Sequence, residues 1–141
     1  MNGGMDKRMK KHMCCEIIGI GVDIENISRF RAQQKNKQFL KKIFTKKELE
    51  YCASKTDPAP HLTARFAAKE AVFKALQKDG KTKIDYLDIE IDNRKDGQPE
   101  VHINKQYFYN LDMQISLSHT TETAIAFVLI CCAKNSTEEN K

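Results

Sequence analysis

Two carboxylates in this 141-residue chain stand in surroundings that suit chemistry better than solvation. Asp23 closes the run Ile17-Ile18-Gly19-Ile20-Gly21-Val22, and Glu70 sits in an alanine-rich segment between Lys69 and Lys74. A helix packed on that strand would bring the two together. Hard carboxylate oxygens suit Mg2+, which commonly takes one or two protein carboxylates and leaves its other octahedral positions to water and substrate phosphates. The plainer alternative pairs Glu70 with Lys74 at i, i+4 on an exposed helix face, worth a few tenths of a kcal/mol. Asp23 would then be the solvated end of a bulged strand.

Cations cluster on the same segment. At roughly 3.6 residues per turn, Lys69 falls within the apolar stripe of Leu62, Phe66, Phe73 and Leu76, where a lysine needs an anion. Arg65 lies one turn before it and Lys74 just over one turn after, so three cations could meet a polyphosphate. Lysines that snorkel past an apolar stripe give the same spacing without any phosphate. His119, in Ser116-Leu117-Ser118-His119-Thr120, could touch a phosphate or carry a proton, although a hydrogen-bonded turn histidine fits equally. Gly19-Ile20-Gly21 lacks the further glycine and following helix of a phosphate loop. Ser116 and Ser118 are not enclosed by glycines, as a nucleophile elbow requires.

The elements that must position these residues follow from periodicity. Residues 17–24 read as a strand with Ile18, Ile20, Val22 and Ile24 on one face and Gly19, Gly21 and Asp23 on the other. Glycines within a strand permit close approach of backbone or ligand. Residues 26–44 read as helical and strongly basic. Thr45 and Glu48 form a capping box for a helix through Tyr51, and Asp57, Pro58 and Pro60 mark a loop. Residues 62–76 form the clearest helix, with Gly80 as its stop. Leu87, Ile89 and Ile91 alternate with acids, and Asp96-Gly97 turns the chain into a hairpin with Val101 and Ile103. Residues 115–118 and 123–132 are two more strands around a turn near His119. Strand, helices, hairpin and hairpin in that order predict an α+β domain, with helices packed on a mainly antiparallel sheet.

Composition bounds the partners. The length suits one domain, and 40% hydrophobic residues suffice for a modest core. The division expected is a flexible extension over 1–15, a single domain over 16–133 and a disordered tail over 134–141. A net charge of +5, from 24 basic and 19 acidic residues, favours nucleotides, nucleic acid or an acidic protein. Five cysteines at 14, 15, 52, 131 and 132 have no metal-ligand spacing and read as reduced thiols. With no export signal and no apolar run long enough to cross a bilayer, the expectation is a cytoplasmic protein without a membrane partner.

Ile18 to Asp23 followed by Arg29-Phe30, then Phe44-Thr45 and Glu48, then Arg65-Phe66-Ala67-Ala68-Lys69-Glu70-Ala71 with Lys74, and finally Ser116-Leu117-Ser118-His119 resemble the holo-acyl carrier protein synthase family. The order matches over about residues 17–130. The resemblance implies the fold of a 4′-phosphopantetheinyl transferase. It implies transfer of 4′-phosphopantetheine from coenzyme A to a serine of apo-acyl carrier protein, with release of adenosine 3′,5′-bisphosphate, in fatty acid biosynthesis. By the same likeness Asp23 and Glu70 hold Mg2+, and Arg65, Lys69, Lys74 and His119 meet the phosphates of coenzyme A, Lys74 stabilising the departing bisphosphate. Arg29, Phe30 and Arg31 face the acidic carrier, and a homotrimer places active sites between subunits. Glu70 or a metal-bound water takes the serine proton. The chain departs from the family in Gln77-Lys78-Asp79-Gly80-Lys81, where a glycine-rich turn is expected, and in its basic extension before Ile17.

The rival reading is a basic, non-enzymatic module for nucleic acid or an acidic protein, carried by the cationic segment from Arg29 to Lys42. It leaves Asp23 and Glu70 without a role.

Overall fold

The computed structural model describes residues 16–76, 83–108 and 110–132. The expected extension, the tail, the Gly80 stop and the segment Gln77 to Lys81 lie outside them, as do Cys14 and Cys15. Strand β1 (Glu16–Asn26) leads into helices α1 (Ile27–Gln33), α2 (Lys37–Ile43), α3 (Lys46–Ala53) and α4 (Pro58–Leu76). A hairpin of β2 (Ile89–Asn93) and β3 (Pro99–Ile103) follows, then β4 (Leu111–His119) and β5 (Thr123–Cys132). The three long strands form an antiparallel sheet in the order β1-β5-β4, and the hairpin is a separate two-stranded sheet. The α+β expectation holds.

Two details depart from the sequence expectation, and a third settles what alternation leaves open. The basic run 26–44 is two helices, because the Asn36 side chain accepts from the Phe39 amide and starts a new one. Helix α4 begins four residues earlier than Leu62, taking in Pro58 and Pro60. Prolines are tolerated in a first turn, where amides have no intrahelical acceptor to lose. The third detail is on β1. Its isoleucine face is the open one, with Ile20 59%, Val22 51% and Ile24 62% exposed beside Ile125 and Phe127 of β5.

The reason lies on the other face. A Cβ at Gly19 would overlap the carbonyl oxygen of Ala75, and one at Gly21 that of Ala71. The two glycines therefore let α4 rest with its backbone against the strand. Ala67, Ala68, Ala71, Val72 and Ala75 meet Ala126, Val128 and Ile130 of β5 and Ile89 and Ile91 of β2 in the main core. Small residues on both surfaces are what this short separation allows. A second cluster joins Phe30, Leu40, Ile43, Phe44, Cys52, Leu62 and Phe66. Burial raises the Cys52 thiol to about 11, so it is an inert packing group.

Candidate active site

With α4 seated on β1, the strand residues that follow Gly19 and Gly21 on the same face, Asp23 and Glu25, come beside the C-terminal half of the helix. Lys74 Nζ donates to Asp23 Oδ1 at 2.9 Å and to the Val22 carbonyl at 3.0 Å. Asp23 Oδ2 is buried and has no protein partner. Glu25 faces Asp23 across this corner. Its carboxyl is held above the ordinary value of 4.5, first by burial, then by the neighbouring carboxylate of Asp23 and the charge of Glu70, against the opposing pull of Arg29. Arg29 reaches Glu25 Oε2 at 3.4 Å. This corner thus gathers three carboxylates around two cations, with one buried oxygen unclaimed.

Glu70 is not spent on Lys74. Its Oε1 accepts a short hydrogen bond from the Tyr86 hydroxyl. Burial, followed by Glu70, pushes the Tyr86 phenol up to about 12, so it remains a donor at any physiological pH. A hard dication fits the donor set of Asp23, Glu25 and Glu70, because all three offer oxygen and the orphaned Asp23 Oδ2 lacks a donor. The corner is loosely gathered. Among the described residues, the trio whose ligand atoms lie within 4.8 Å of one another is Asp92, Glu100 and His102 on the β2–β3 hairpin. There Lys47 already sits 2.5 Å from Asp92.

The other expected cations have other employments. Lys69 is fully buried and pairs with Glu48 Oε2 at 2.8 Å, while also donating to the carbonyls of Ile43 at 2.7 Å and Tyr86 at 2.9 Å. All three ammonium hydrogens are placed on internal acceptors, which leaves none for a phosphate. The anion demanded by its apolar surroundings is an internal glutamate. Burial pulls Lys69 below its usual range, against the pull of Glu48. Glu48 Oε2 also caps Thr45 at 2.8 Å and its Oε1 accepts from the Ile91 amide at 2.8 Å, which ties α3, α4 and β2 together.

Arg65 points away from Asp23. It donates to Asn93 Oδ1 at 2.6 Å and stacks 4.0 Å from the Tyr51 ring, and its buried Nε has no protein partner. Five residues turn a helix by about 140°, which is why Lys69 and Lys74 diverge. His119 is exposed, its Nδ1 3.2 Å from the Thr120 carbonyl, and in the sheet it lies in one row with Ala124 and Glu25. Burial lowers the His61 imidazole, with added repulsion from Arg65, Lys55 and His119 and an opposing pull from Asp57. Phe30 is fully buried among aromatic rings and offers nothing to a carrier. Its neighbours are on the surface, Arg29 with Glu25 and Arg31 in a two-point pair with Asp57 at 2.9 Å.

Glu25, Tyr86, Lys55 and His61 were not singled out by spacing. Glu25 is two residues from Asp23 and so on the same face of the strand, a signal that was available. Tyr86 carries none. Two clefts of about 590 and 660 Å³ open elsewhere, one lined by Thr45, Glu90 and His102, the other by Lys41, Phe44 and Leu49. Neither is walled by Asp23, Glu70 or Lys74.

The chain is similar to known proteins along most of its length. The profile of the 4′-phosphopantetheinyl transferase superfamily matches residues 19–128. A holo-[acyl-carrier-protein] synthase of Thermodesulfovibrio yellowstonii is 44% identical over 119 residues, covering 81% of this chain and 98% of the relative. That of Protochlamydia amoebophila is 44% identical over 117 residues, covering 79% and 96%. A crystal structure of the Bacillus anthracis synthase in complex with CoA (3′,5′-ADP) superposes with a TM-score of 0.72 at 28% identity, covering 83% and 98%. The Helicobacter pylori synthase in complex with coenzyme A gives 0.68 at 30%, covering 79% and 98%.

Proposed function

Because this chain belongs to the 4′-phosphopantetheinyl transferase superfamily, we propose that the corner built by Asp23, Glu25, Glu70 and Lys74 is where it modifies its carrier. The chain is a holo-acyl carrier protein synthase: it moves 4′-phosphopantetheine from coenzyme A to a serine of apo-acyl carrier protein. The observation that carries the assignment of the corner is the buried, unpartnered Asp23 Oδ2 beside Glu70 and Lys74.

In this reading the serine oxygen attacks the β-phosphorus of the coenzyme pyrophosphate, and the bond to the bridging oxygen breaks. Adenosine 3′,5′-bisphosphate leaves with the electron pair, and a carboxylate takes the serine proton. Lys74, half exposed, is the cation positioned to leave Asp23 and neutralise the departing phosphate. Asp23 and Glu70 would hold Mg2+, which when bound supplies charge neutralisation at the pyrophosphate. The oxygen of Glu70 not engaged by Tyr86 is the candidate base. Lys55 and Arg65, with the imidazoles of His61 and His119 as further polar groups, would receive the remaining phosphate of the coenzyme.

Arg29 and Arg31 on α1 would meet the acidic carrier. The open sheet face of Ile20, Val22, Ile24, Ile125 and Phe127 is the surface that copies of the chain would bury in a homotrimer, with sites completed between subunits. The single domain would run over 16–133, and the role would be carrier activation for fatty acid biosynthesis in the cytoplasm. No helix among the described residues is long and apolar enough to cross a membrane.

The test is the intact mass of purified apo-acyl carrier protein after incubation with this protein and coenzyme A, with Mg2+ and with excess chelator. A phosphopantetheine-sized gain in the first arm and none in the second is expected. A gain that persists undiminished in chelator would remove the metal from the proposal.

A further inference from the structure

A carboxylate on an exposed helix face has several rotamers, and a ligand or base must keep one. Tyr86 supplies the constraint for Glu70. Its carbonyl accepts from Lys69 Nζ at 2.9 Å, its ring lies 5.1 Å edge-on to Phe73 and 5.7 Å from Phe66, and its hydroxyl donates to Glu70 Oε1. The four contacts fall on residues 66, 69, 70 and 73, one continuous stripe of α4. Tyr86 opens a 3₁₀ turn, Tyr86–Asp88, which is itself boxed by Asp85 and Asp88, the Asp85 amide donating to Asp88 Oδ2 at 2.8 Å. Lys69 is in turn fixed by Glu48 and the Ile43 carbonyl. The hydroxyl therefore has little freedom to follow Glu70, and Glu70 must follow it.

We infer that Tyr86 is a positioning residue for the transfer reaction: its hydroxyl occupies Glu70 Oε1, leaving Oε2 as the oxygen that the carboxylate offers to the Asp23 corner. This rests on the reading of Glu70 as a ligand or base in phosphopantetheinyl transfer. Hydrogen-bond partners that fix a ligating group are typically worth ~10–100-fold in metal affinity or activity. A tyrosine present only for packing would act through its ring, and phenylalanine keeps the ring.

The experiment compares wild type, Tyr86→Phe, Glu70→Gln and the double variant. Mn2+ binding is followed by the paramagnetic resonance of free Mn2+ and needs no substrate, and kcat and KM come from the carrier mass assay. With Tyr86→Phe folded as wild type, Mn2+ affinity and kcat should each fall roughly tenfold, with KM for the carrier unchanged. In the Glu70→Gln background the same substitution should change nothing further. Binding and kcat within about twofold of wild type, or an equal loss with and without Glu70, would overturn the inference. If wild type transfers nothing while Tyr86→Phe still weakens Mn2+, the functional reading fails and the positioning role stands. If wild type transfers and Tyr86→Phe matches it, the reverse holds.

Discussion

Helix α4 carries two lysine–carboxylate pairs little more than one turn apart, and they are opposites. Lys69 and Glu48 are fully buried, with every ammonium hydrogen placed on an internal acceptor. Lys74 and Asp23 lie at the surface edge, with the lysine half exposed and one carboxylate oxygen lacking a donor. The first pair is complete and joins three elements, so it has nothing left to offer a ligand. The second is incomplete, and incompleteness at a buried atom is what a substrate or cation can satisfy. Charge and spacing along the helix are alike for both; the difference is whether the surrounding backbone has consumed the polar valences.

The hardest test of that contrast removes the buried lysine. Lys69→Met leaves Glu48 without its countercharge, and breaking one side of such a pair typically costs about 3–5 kcal/mol. Urea unfolding should register that loss, while the folded fraction, with Tyr86 still held by its ring contacts to Phe66 and Phe73, loses far less transfer rate than a Lys74 variant. A loss below about 1 kcal/mol would mean that Glu48 is satisfied without Lys69. Lys74→Ala should do the reverse. Exposed pairs are worth about 0–1 kcal/mol, so stability should scarcely move while kcat falls roughly 100-fold, as when a donor to developing charge is removed. Should the two variants lose stability and activity in parallel, the division of labour is wrong.

The smallest effect concerns Glu25. Its folded-state carboxyl is raised, so its stabilising contribution is present below the unfolded value of 4.5 and is lost as pH rises through the higher folded value. Near neutrality the ionised group therefore burdens the fold. Glu25→Gln should raise the melting temperature at pH 7.5 by roughly 2 °C, about half a kcal/mol, with the gain vanishing in acid. Millimolar Mg2+ should stabilise wild type more than the variant. A melting temperature lowered at pH 7.5 would show that the Arg29 contact outweighs the crowding of acids.

Periodicity and capping made much of this visible. The glycine-bearing strand, the Thr45–Glu48 box, the helix around Glu70 and both hairpins stand where residue patterns put them, and so does the meeting of Asp23 with α4. What stayed hidden depends on three-dimensional neighbours. Glu48 is fully explained locally as a cap, so nothing in the chain says that its second duty is to neutralise Lys69. Tyr86 lies sixteen residues from Glu70 in a short turn without periodicity. The orientation of β1 was hidden because alternation gives two faces without saying which is inward, and here the side-chain-free face won, as α4 can come closer to it.

That backbone-to-backbone seating of Ala71 and Ala75 on Gly21 and Gly19 governs how the active corner ages under mutation. A gap spanned by side chains drifts whenever a neighbour is exchanged for one of another size. A gap closed by main-chain atoms has no such adjustable part, so the span from Asp23 to Glu70 is inherited from the stiffness of a helix and a strand. Substitutions elsewhere in the core can accumulate without detuning it, whereas at these two glycines the chain has no neutral alternative.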